Sequence, residues 1–164
     1  MTNGFGLNRE IPEFRGPPNL VGPSLGLVVD GSLTNGVEVR LDSQTLIEDL
    51  KVGTFVTIQG SLGRFFGTLT EIALGSSDPR LKQNPPMVDD PFIAQVMAGS
   101  VAFGTITVLP QLILPAIRGD SQLPVAAKTI PPHFSKAFSA SEEDVATVFG
   151  SEDQRHFWIG TPLD

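Results

Sequence analysis

The sequence predicts a mainly β fold: a small closed or partly closed antiparallel β-barrel, followed by one short helix and one strand. Three observations predict it. Short runs of apolar residues, several alternating with polar ones, recur along the chain between turn signals. Glycines fall inside those runs, where a strand must bend if its sheet is to curve into a ring. Only one stretch, residues 139–150, carries both a helix start and a helix stop.

The ordered part begins at LGLVVDGSLTNGVEVRL, residues 25–41. Asn35-Gly36 predicts a two-residue hairpin turn of type I′, which needs positive φ at both central positions. Beyond it Val37, Val39 and Leu41 alternate with Glu38, Arg40 and Asp42, giving one core face and one wet face. Gly31 marks a bulge or barrel corner. Residues 43–54 connect to a third strand, Phe55–Gln59, and Gly60-Ser-Leu-Gly63 turns the chain into a fourth, Arg64–Leu74, bent at Gly67. Residues 75–91 form a long Pro-rich loop. Strand character resumes over Val96–Leu109, with bends at Gly99 and Gly104 and an end at Pro110. Val125–Ile130 supplies the last barrel strand.

SASEEDVATVFG (139–150) reads as a helix, with Ser139 and Glu142 or else Ser141 at its cap. Its first turn holds Glu142, Glu143 and Asp144, which suit the positive end of the helix dipole, and Gly150 stops it. A strand, His156–Ile159, and a turn at Gly160-Thr-Pro162 close the sequence. The domain organisation is thus an irregular arm at 1–20, a β-barrel over 21–131 and a helix–strand connector over 132–164.

The 164 residues suffice for one domain with its own core. There is no cysteine, which excludes disulfides, cysteine zinc sites and thiol chemistry. Residues 1–19 lack the apolar stretch of a signal peptide, and no apolar run approaches a membrane span, so the expectation is a soluble, cytoplasmic protein without membrane contact. The net charge is −7, from 11 basic and 18 acidic residues. Between Ser139 and Asp164 six acids face one base, Arg155. Phosphate contacts need the opposite balance, so direct nucleic acid binding is not expected.

Candidate chemistry is sparse. Lys128-Thr129 lacks the glycine framework of a phosphate-binding loop. His133 and His156 have no nucleophile–acid partners in any recognisable pattern, so no catalytic residue is assigned. Asp89-Asp90 lacks a third ligand at metal-binding spacing, and no metal or cofactor site is assigned. Arg118-Gly119-Asp120 reads as a turn. Arg64-Phe65-Phe66 is the one candidate protein interface: alternation sends the two rings to opposite faces, one into the barrel and one outward beside an arginine. The alternative is that both rings are buried under neighbouring segments.

Three stretches, LGLVVDGSLTNGVEVRL, RFFGTLTEI and FSASEEDVATVFGSEDQRHFWIGTPLD, resemble the N-terminal region of HerA-like ATPases. That region is the HAS-barrel, similar to the N-terminal barrel of rotary ATP synthase subunits, and the resemblance runs from about Val21 to Asp164. It implies a non-catalytic assembly and docking domain of a hexameric ATPase that translocates DNA and takes part in DNA-end processing. The implied partners are the chain's own ATPase domain, further copies in a hexamer and a NurA-type nuclease. ATP and Mg would belong to the motor domain, which these residues do not include, and none of the family's catalytic residues maps here. On this reading HFWIGTPLD leads into the motor and is loosely held without it. The alternative is a freestanding β-barrel module that binds a protein or a ligand.

Overall fold

The structure is a computed structural model that describes residues 22–61, 63–83, 89, 91–92, 102–115 and 123–150. The arm at 1–20, Gly99, Asp90, the Arg118-Gly119-Asp120 tripeptide, His156 and the closing HFWIGTPLD lie outside the described residues.

Seven strands are described: β1 (Ser24–Ser32), β2 (Gly36–Leu41), β3 (Phe55–Gln59), β4 (Arg64–Ser76), β5 (Ala102–Leu114), β6 (Val125–Ala126) and β7 (Lys136–Ser139). A short 3₁₀ turn spans Ile47–Asp49, a helical turn α1 spans Arg80–Gln83, and helix α2 spans Glu142–Phe149. Every described strand pairing is antiparallel. The order β2-β1-β7-β3-β4-β5 returns on itself through β2–β5, so six strands close a ring and β6 stands outside it on β5. The predicted barrel is therefore present and closed.

Alternation explains what fills it. Val28, Val37, Val39, Val56, Ile58, Leu69, Ile106 and Val108 are all at most 2% exposed and form one core cluster. Cross-strand partners share a face, so Val39↔Ile106 and Val28↔Val39 stack inward while Glu38 and Arg40 between them point out. A ring this narrow is filled by its own side chains.

Several expectations are corrected by the pairing. The hairpin after β1 forms, but as a three-residue loop, Leu33–Asn35, with Ser32 paired to Gly36. Only Gly36 takes a left-handed φ, of 87°, and Asn35 instead donates its N–H to Ser32 Oγ at 3.0 Å. A single left-handed residue after a tight turn is enough to match the strand twist. The β1 irregularity falls between Val28 and Asp30, just before Gly31.

Pro110 does not end a strand. It lies buried inside β5 opposite Gly67, at the register shift that sets Phe66 against Leu112. A bulge is where a strand tolerates a residue with no N–H. Gly67 is needed there because a Cβ would lie 2.4 Å from the Leu109 carbonyl oxygen.

Val125–Ile130 is not a barrel strand. Only Val125–Ala126 pairs, to Leu112 and Ile113 on the outside of the ring. The ring is completed by β7, which sits between β1 and β3 through Leu27↔Lys136 and Thr57↔Phe138. The barrel thus extends past residue 131 into the stretch that sequence assigns to the connector.

Just before β7, Phe134 adopts φ 64°, the single non-glycine residue at positive φ among the described ones, and it is 73% exposed. Its N–H donates to the Val28 oxygen at 2.8 Å, and Ser135 N–H to the Pro132 oxygen at 3.3 Å, a turn that holds Phe134 where glycine is usual.

Two stability outcomes follow from this packing. Ile58→Ala should cost about 2–5 kcal/mol in urea unfolding, through lost burial and a cavity in the barrel interior. Phe134→Gly should raise stability by about 1 kcal/mol, because it removes left-handed strain and gives up little burial.

Candidate interaction surface

Arg64, Phe65 and Phe66 open β4, and the strand's alternation works on them as expected. Phe65 points inward and belongs to the barrel core, whereas Phe66 points outward. The outward ring is nevertheless 1% exposed, because helix α2 lies over it. The expected exposed aromatic–arginine patch is corrected: the chain's own helix occupies it, so both phenylalanines are buried.

The geometry of that cover is specific. Phe55 of β3 stacks on Phe66 at 5.0 Å between ring centroids. Phe149 of α2 meets Phe55 at 5.3 Å and Phe66 edge-on at 6.3 Å. Such offset and edge contacts are favourable by about 0.5–1.5 kcal/mol each beyond area burial. Thr57, the partner of Phe66 across β3–β4, is 2% exposed.

Electrostatics orient the helix. Ser141 is its N-cap and Asp144 its N3 residue. The Ser141 hydroxyl accepts from the Asp144 N–H at 3.2 Å, and Asp144 Oδ2 accepts from Ser141 N–H at 3.2 Å, a reciprocal capping box. The Ser141 hydroxyl also donates to Asp144 Oδ2 at 2.8 Å. The other carboxylate oxygen, Oδ1, accepts from Arg64 Nη1 in an ion pair. Asp144 is fully buried and the Arg64 side chain is 16% exposed. A buried carboxylate is tolerable only with this degree of satisfaction. Arg64 Nε is buried and has no acceptor among the described residues.

The three acids of the first turn therefore differ. Glu142 and Glu143 are exposed, consistent with a dipole role, whereas Asp144 ties the helix to a strand eighty positions earlier. The sequence signal for this was Ser141-x-x-Asp144, a capping box two residues on from Ser139–Glu142. No sequence pattern announces the partner across the fold.

Other positions considered from sequence do not assemble into a site. Among the described residues no group of three or more His, Asp or Glu is placed to hold a metal ion. Asp89 is exposed. His133 is exposed and lines an open cleft of about 260 Å³ together with Asp30, with no hydrogen bond between them among the described residues. A wider cleft of about 700 Å³ lies between the start of β1 and residues 42–50. A second ion pair, Asp78–Arg80, is on the surface; the arginine's hydrogen bond holds the Asp78 carboxyl below its ordinary range.

No protein-family model matches the chain, and no curated protein matches it as a relative.

Arg64→Ala should cost about 3 kcal/mol, because it leaves the Asp144 carboxylate buried without its cation. Amide exchange should accelerate over residues 142–150 far more than over β2 and β5. Ser141→Ala should cost about 1 kcal/mol through loss of the cap.

Proposed function

We propose that this chain is a non-catalytic assembly and partner-docking domain, of the HAS-barrel kind, belonging to a HerA-like hexameric ATPase involved in DNA translocation and DNA-end processing. The observation that carries the reading is the clamped helix on a closed barrel. The ring has few free edges, so it is a rigid platform for neighbouring subunits. Helix α2, fixed by Arg64–Asp144 and the Phe55–Phe66–Phe149 cluster, sets the direction in which the chain leaves the barrel after Gly150.

In this reading the following segment enters a motor domain that holds ATP and Mg, and the motor's work reaches the barrel through α2. The barrel takes no part in hydrolysis. It contributes to ring assembly, in which each copy meets the next head-to-tail, and it offers a surface to a NurA-type nuclease. The acidic charge supports a protein rather than a nucleic acid partner.

The coding frame beyond Asp164 tests this directly. A continuing frame with a G-x-x-x-x-G-K-[ST] loop within a few tens of codons is expected, and a stop codon at that point would sink the proposal. In the full-length protein, Arg64→Ala should reduce DNA-stimulated ATP turnover or hexamer formation while leaving nucleotide binding intact.

A further inference from the structure

We propose that the outer face of β1, β2 and β7 is a two-fold contact surface for a second copy of this chain, held by opposite charges arranged in two adjacent rows. The inference rests on pairing register and side-chain chemistry, and it does not depend on the ATPase reading.

Register defines the rows. Asp30 pairs with Glu38, Glu38 with Thr107 and Thr107 with Glu71, so three carboxylates and a hydroxyl form a line across four strands. One step along the same face, Lys136 pairs with Leu27, Leu27 with Arg40 and Arg40 with Thr105. The rows are about 7 Å apart, two residues along a strand.

Apart from the Gly31 N–H that Asp30 Oδ1 accepts at 2.6 Å, no described residue neutralises either row. Like charges placed directly across a strand pair, as Asp30 and Glu38 are, destabilise the pair. None of the three acids makes an ion pair with a described residue. They line a depression of about 380 Å³, roomy enough for a guanidinium group. In the other row Arg40 is held with its guanidinium 4.0 Å over the Phe103 ring, which presents the charge without neutralising it. Between the cations Leu27 is 37% exposed, and beside β1 the strained turn keeps Phe134 73% exposed.

The occupant follows from the symmetry of the pattern. When a face with two parallel rows of opposite sign meets a copy of itself about an axis running between the rows, each acidic row lands on a basic row. Arg40 of each copy then faces Glu38 of the other, and Asp30 falls between the other copy's Arg40 and Lys136. A contact that uses the same patch twice is isologous and closes at two. With the chain at −7 overall, only such a local match would overcome the repulsion between copies.

Charge reversal decides the matter. Sedimentation velocity of the 164-residue chain, from micromolar to millimolar, should show a monomer–dimer equilibrium. Glu38→Arg and Arg40→Glu should each weaken it at least about tenfold, and mixing the two variants should restore a dimer of one copy of each. Circular dichroism of each variant checks that the barrel is intact. Should Arg40→Glu fail to fold without its Phe103 contact, the exchange of Asp30→Lys with Lys136→Glu provides the same test on exposed positions. A wild-type chain that stays monomeric, a dimer indifferent to the reversals, or a mixture that stays monomeric would overturn the proposal. A hexamer in place of a dimer would also overturn it.

Discussion

The pairing of β2 with β5 is the constraint on which the rest of the structure depends. A sheet with one apolar face must either pack against another layer or curl until that face encloses itself. Here Val37–Arg40 meets Thr105–Val108, and the curl becomes a ring. Without that ladder the inward residues of β1 and β2 would need a second layer, and among the described residues no other sheet or long helix provides one.

Closure then imposes local costs that the sequence meets at particular residues. β4 and β5 are each thirteen residues long and pair along their whole length, so they cannot stay flat while shorter neighbours turn around them. Their ladder shifts twice, at Phe66/Gly67 and at Leu69/Glu71. At the first shift a residue without a side chain faces one without an N–H. Each would be a fault in a regular central strand, and together they make a bend.

A ring with its apolar face inside leaves the outer face to be specified separately, and its two sides are used differently. Over β3 and the start of β4 the outward Phe55, Phe66 and Arg64 meet α2. There the buried Arg64–Asp144 pair ties the start of the helix to β4, and the cost of desolvating both charges offsets much of their attraction. Over β1 and β2 the outward face carries Asp30, Glu38 and Arg40 beside Leu27, and no described element covers it. This asymmetry divides a face closed by the chain's own helix from a face that no described element covers.

Local signals carried most of what the sequence determined by itself. Phe55–Gln59 is the same strand by pattern and by pairing, because alternation and flanking turns lie within a few residues. Helix α2 is legible because cap, acidic first turn and terminal glycine are all contiguous. The barrel class was legible from many short strands with internal glycines. The tertiary structure decided whatever depended on residues far apart. β7 has four residues, only one of them buried, and it is a strand because it pairs with β1 on one side and β3 on the other. Pro110 could be read only as an end until Gly67 was brought opposite it. Phe66 points outward as alternation requires, yet whether it meets water or a helix depended on Asp144 reaching Arg64 across the fold. Period and capping are properties of neighbours in sequence, whereas burial and ion pairing are properties of neighbours in space.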